Sequence, residues 1–112
     1  MLKTYNSGST LLHSAKTTQP AAVSGLAVNT EGVFYGLIIK TDGSNNVVLN
    51  VYDNNAASGN RLLPSDLIIQ GSVGLWTLGL TPGIDVETGI YVSVAVAGYG
   101  SCEYQVLYDD GE

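Results

Sequence analysis

Short runs of alternating apolar and polar residues, cut by glycine-rich turns, fill this chain. Val47, Leu49 and Val51 alternate with Val48, Asn50 and Tyr52. Ile90, Val92, Val94 and Val96 alternate with Tyr91, Ser93, Ala95 and Ala97. A period of two places each set on one face of a β-strand. The same pattern predicts strands over Leu11 to Lys16, Ala21 to Val28, Val33 to Thr41, Asn46 to Asp53, Gly74 to Leu80 and Ile84 to Glu87. In the third of these, Val33, Tyr35, Leu37 and Ile39 share a face. Arg61 to Gln70 reads as two short pieces broken at Pro64, because proline cannot donate to a ladder. Asp42-Gly43 is a favoured hairpin pair, so Asp42 to Asn46 is expected to turn one strand back on its neighbour. Thr81-Pro82-Gly83 reads as a second turn. Gly89 to Tyr108 reads as a terminal hairpin of two strands around Gly98 and Gly100.

No window shows apolar residues at helical spacing. The one candidate of helical length, Ser14 to Val28, is rich in Ser, Thr and Val and is interrupted by Pro20, so helix content is expected to be close to nil. About eight short strands at spacings of about 8–12 residues point to an all-β, single-domain antiparallel β-sandwich, jelly-roll-like, with two sheets over one core. The expected organisation is a flexible N-terminal arm, residues 1–9, followed by the sandwich over residues 10–112.

Composition narrows the function. The chain has 112 residues, 45% of them hydrophobic and only 12% charged. That charged share is about half the ~25% of ordinary globular domains. Solubility then falls to Ser, Thr, Asn, Gln and Gly, which make a hydrogen-bonding surface suited to lying against another protein. Ten acids against four bases leave a net charge of −6. Lys3, Lys16, Lys40 and Arg61 are scattered, so no basic patch exists for phosphates or anionic lipid, and neither nucleic acid nor membrane is an expected partner. The acidic end, Asp109-Asp110-Gly111-Glu112, reads as a solvated tail. The first residues contain no apolar core of a signal peptide, which predicts synthesis in the cytoplasm without classical secretion. Cys102 shares strand parity with Tyr104, Val106 and Tyr108 and reads as a small buried side chain. A single cysteine makes no internal disulfide and no cysteine-rich zinc site.

Candidate chemistry is sparse. His13 has no acidic neighbour in sequence, and no G-x-S-x-G elbow, P-loop or dinucleotide fingerprint is present. Asp42 to Asp53 has the length of an EF-hand loop, but Val47 stands where that loop requires glycine. Asp66, Asp85 and Glu87 could supply a carboxylate pair, which spacing alone neither supports nor excludes. The expectation is a non-enzyme with no catalytic residue, cofactor or metal. Tyrosines remain. With Trp76 they could form a sugar-stacking platform, anchor a subunit interface, or simply fill a sheet. Tyr52 and Tyr91 lie opposite in parity to the more apolar faces of their strands and are the candidates for surface contact.

Three segments carry a resemblance: Val47 to Leu63, with Tyr52-Asp53 and Ala56-Ala57-Ser58-Gly59; Gly83 to Val94, with Thr88-Gly89-Ile90-Tyr91-Val92; and Glu103 to Tyr108. Over its last two-thirds the chain resembles small all-β virion proteins of tailed bacteriophages, of the capsid-decoration or head-appendage type. The resemblance implies a homo-oligomer, with a trimer favoured, bound to the major capsid protein of the assembled shell, and an N-terminal arm used for attachment. It carries over no site residue. The alternative is a carbohydrate-binding module of a tail fibre or appendage.

Overall fold

Alternation along four long strands gathers one apolar layer. Phe34, Leu37, Ile39, Val47, Leu49, Val51, Val92 and Val106 are fully buried, and Ile90, Val86, Cys102 and Tyr104 nearly so. Those side chains come from both sheets of a sandwich and interdigitate between them. The computed structural model describes residues 15–111. The expected arm, residues 1–9, as well as His13 and most of the expected first strand, lies outside them.

The strands are β1 (Lys16–Thr17), β2 (Gly25–Val28), β3 (Gly32–Thr41), β4 (Val47–Asp53), β5 (Leu67–Ile69), β6 (Leu75–Val86), β7 (Ile90–Val96) and β8 (Cys102–Asp109), with a 3-10 turn at Gly71–Val73. One sheet runs β1-β8-β3-β6 and the other β2-β7-β4-β5. Every pairing is antiparallel. This order is that of a jelly roll: the outer pairs of strands in sequence wrap around the inner pairs, so partners are far apart along the chain. The all-β sandwich expected from the alternation is what the structure holds.

Two expected hairpins are absent. The turn at Asp42–Asn46 connects β3 in one sheet to β4 in the other, and the glycine-rich link after β7 likewise carries the chain across to β8. Among the described residues β4 and β5 are the only consecutive strands that pair. Alternation tells which face of a strand is apolar; it is silent about which strand lies beside it. The turn expected at Thr81-Pro82-Gly83 is also corrected. β6 runs through it with a cis bond before Pro82. Pro82 is tolerated because β6 is an edge strand and Leu80 to Gly83 make no rung with β3, so the missing N–H costs nothing.

β3 corrects a third expectation. Against β6, Phe34 pairs with Ile84 and Gly36 with Gly79, so Leu80 to Gly83 bulge out of that ladder; against β8, Phe34 pairs with Tyr108 and Gly36 with Leu107, leaving Tyr35 as an extra residue. The bulge inverts parity: Phe34 points inward before it, and Leu37 and Ile39 after it. Tyr35, grouped with the inward face by simple alternation, is half-buried. Gly36 makes the bulge possible. Its φ is +125°, and a side chain there would collide with the carbonyl oxygen of Leu78.

Short links stack the edge strands in pairs. Gln70 to Gly74 joins β5 to β6 on one flank, and residues 18–24 join β1 to β2 on the other. The strand ends define two poles. At one pole Asp42 gathers the β3–β4 and β7–β8 loops. Its carboxylate accepts from the N–H groups of Ser44 and Asn45 at 2.8 Å, from Asn45 Nδ2 at 2.8 Å and from Ser101 N at 3.0 Å. At the other pole Asp53 accepts from the N–H groups of Glu87 and Thr88 and pins the β6–β7 link to the end of β4.

Candidate interaction surface

In an antiparallel sheet, residues directly opposite one another share a face. The registers Tyr52↔Arg61, Tyr52↔Tyr91 and Tyr91↔Leu26 therefore lay Arg61, Tyr52, Tyr91 and Leu26 in one row across the outer face of the β2-β7-β4-β5 sheet. The two tyrosines expected at the surface are neighbours, but they differ in access. Tyr52 is only 7% exposed. The Arg61 guanidinium lies 5.0 Å from the centre of its ring and donates to its hydroxyl at 3.3 Å. Arg61 also donates through Nε to Asn50 Oδ1 at 3.2 Å, and Asn50 in turn donates to Asp66. The segment after the Asn54 to Asn60 loop thus folds over Tyr52, which is withdrawn from contact within its own chain. Tyr91 remains half-buried and Leu26 is exposed.

Trp76 does not join this row. It stands on β6 opposite Ile39, points inward and packs against the core. A stacking platform combining Trp76 with Tyr52 and Tyr91 is therefore not assembled. Tyr104 is buried as well, with its hydroxyl donating to Val23 O at 2.7 Å. Burial pushes this phenol above its usual range, with smaller contributions from Cys102 and Tyr91. Cys102 is 4% exposed, as its parity predicts, and burial first, then the Asp42 and Glu103 charges, raise its thiol pKa.

The candidate carboxylates separate. Asp85 and Glu87 lie at the Asp53 pole, in a cleft of about 580 Å³ also lined by Glu31, Asp109 and Asp110. Asp66 belongs instead to the Asn50 network on the outer sheet face. Lys16 binds Asp110 at 2.7 Å and Gly111 N donates to Asp109 at 2.8 Å. No three acids, cysteines or histidines among the described residues converge to hold a metal ion. Asp42 carries the largest perturbation. The Asn45 side-chain amide, with the N–H groups of Asn45, Ser44 and Ser101, holds its carboxyl far below the usual carboxylate range. All of those donors stabilise the charged form.

Charge is partitioned by this architecture. Glu31, Asp53, Asp85, Glu87, Asp109 and Asp110 crowd one pole. The two flanks carry long uncharged stretches. Between Lys16 and Glu31, and again between Asp66 and Asp85, no residue is charged; these runs contain β2 on one flank, and β5 with β6 as far as Ile84 on the other. Val23 and Leu26 are exposed on the first flank, beside a groove of about 340 Å³ that includes Pro20, Ala21 and Tyr104. Ile68, Val73 and Leu75 are exposed on the second, at 66%, 50% and 61%. The uncharged run between Asp66 and Asp85 is visible in sequence; its position along an open edge is not.

No family model, curated protein or solved structure matches the chain.

Proposed function

We propose that this chain is a non-enzymatic structural protein of a tailed-phage particle: a subunit that decorates the head by binding its major capsid protein in the assembled shell. The phage assignment rests on the resemblance carried by Val47 to Leu63, Gly83 to Val94 and Glu103 to Tyr108. The observation that carries a docking role is the partition of charge. Interface cores are depleted of charge and keep apolar and hydrogen-bonding groups, and both flanks of this sandwich have that character. The acidic pole supplies the net charge that keeps a neutral-faced protein soluble.

Stabilisation of the shell would follow from mass action. A ligand that binds the assembled shell and not its separated subunits stabilises assembly by RT ln(1 + [L]/Kd), about 2.7 kcal/mol per site at a hundredfold excess over Kd. Quantitative mass spectrometry of particles made by the genome that encodes the chain tests the proposal. A copy number comparable to that of the major capsid protein is the expected result. A few copies per particle would move the protein to a tail or vertex appendage, and absence from particles would overturn the virion reading.

A further inference from the structure

β6 is the longest of the described strands and stands at a sheet edge. Its pairing with β3 settles which backbone groups face outward. Thr41 N donates to Gly74 O at 2.7 Å, and the register places Lys40 opposite Leu75, Ile39 opposite Trp76 and Leu37 opposite Leu78. Hydrogen-bonded and non-bonded pairs alternate in an antiparallel ladder. Thr41/Gly74, Ile39/Trp76 and Leu37/Leu78 are therefore the bonded pairs. Leu75, Thr77 and Gly79 turn their N–H and C=O groups away from β3, and no described strand meets them. All three residues are exposed.

An open edge of this kind is a template for another strand. Edges are ordinarily blunted by charge, proline or brevity; β6 has no charge before Asp85 and no proline before Pro82. We infer that two copies of this chain pair β6 to β6, antiparallel, across a two-fold axis through Thr77. That register opposes Thr77 to its own copy and Leu75 to Gly79. It joins outward-facing groups to outward-facing groups in three reciprocal pairs, about six hydrogen bonds.

Charge selects a second copy as the occupant. In a chain of net charge −6, self-association requires a surface where like charges do not meet. About this axis Asp85, the acid carried by β6, lies beyond the end of the paired segment, and Asp66 belongs to the other sheet, held in the Asn50 network. Trp76 falls opposite Leu78 on the inner face, which extends the core across the joint, and the exposed Leu75 covers Gly79 on the outer face. The contact is isologous and closes as a dimer, in place of the trimer implied by the resemblance. It does not depend on the virion reading: a monomer found in particles would overturn this pairing alone, and a dimer absent from particles would overturn that reading alone.

Sedimentation equilibrium of the whole chain across a concentration series, with two variants, tests the pairing. The wild type is expected as a dimer that dissociates on dilution. Thr77→Pro removes only an outward N–H, which an edge strand tolerates, and is expected to raise the dimer dissociation constant at least about tenfold. In a Cys102→Ala background, Thr77→Cys should form a reducible covalent dimer, because opposed Cα atoms of a bonded pair lie about 5.5 Å apart, within disulfide range. Ile68→Cys, off the axis, should not. A wild-type monomer at every concentration overturns the inference. So does an oligomer that ignores Thr77→Pro and leaves Thr77→Cys uncrosslinked, which would place the contact on another surface.

Discussion

Gly36→Ala is the substitution that most directly tests the bulge on which the inner face of β3 depends. Two costs coincide at this position. At φ +125° an L side chain is strained, a penalty of about 1–3 kcal/mol. The new Cβ would also collide with the carbonyl oxygen of Leu78 on the paired strand and lie 2.8 Å from its carbonyl carbon, and overpacking of this kind costs about 1–3 kcal/mol. Their sum centres near 4 kcal/mol, a large part of the ~5–15 kcal/mol that holds an ordinary domain together. Such a loss lowers the thermal midpoint by roughly 15–30 °C. Two other glycines separate the terms. At Gly32 the φ is ordinary but a Cβ would meet the Asp109 carbonyl oxygen, so Gly32→Ala should show the steric cost alone. At Gly25 nothing lies within 4 Å, and Gly25→Ala should change stability by less than ~1 kcal/mol, in the stabilising direction if the smaller freedom of the unfolded chain dominates. Urea unfolding followed by Trp76 fluorescence ranks the three through their midpoints at constant slope. If Gly36→Ala unfolds within ~1 kcal/mol of Gly25→Ala, the account of β3 is wrong.

Three further outcomes are expected. Because its hydrogen bonds lower the Asp42 pKa, the stability Asp42 contributes is fully present above the ordinary Asp value and is lost as pH falls below it towards the depressed folded value; wild type should therefore lose more stability than Asp42→Asn between pH 6 and pH 3, and equal losses would show the clamp to be inert. Cys102, buried and held as a thiol, should react with a thiol reagent at neutral pH only as the chain unfolds, so stoichiometric labelling of the native protein within minutes would contradict its burial. Arg61→Ala uncovers Tyr52 and removes a cation–π contact and two side-chain hydrogen bonds; a loss of about 1–2 kcal/mol in urea unfolding is expected, and no loss would mean that the row is held by backbone pairing alone.

Faces were more legible than partners. The inward sets Val47, Leu49, Val51 and Ile90, Val92 can be read from alternation because β4 and β7 run without a bulge. The same rule misplaces Tyr35, since one inserted residue inverts everything after it, and nothing local in Val33 to Leu37 except the glycine marks the insertion. Pro82 reads as a turn because its edge position is a property of the whole sheet. Tyr52 has the parity of a surface residue and is indeed on an outer face; what buries it is Arg61, brought alongside by a bridge after a long loop. Periodicity in the Val47 to Asp53 segment has no means of recording that contact.

The crossing of almost every connection between the two sheets has a consequence in time. Among the described strands only β4 and β5 can meet by closing a local loop; β1 must find β8, and β2 must find β7, across most of the chain. Loop-closure entropy is lost before those distant pairings return anything. Folding should therefore be slow for a chain of this size, on the millisecond-to-second scale of high-contact-order β proteins. During that interval Leu75 to Leu80, an uncharged and largely apolar segment, waits unpaired until β3 arrives. The edge that can join two finished subunits is then also the first place where unfinished ones can meet.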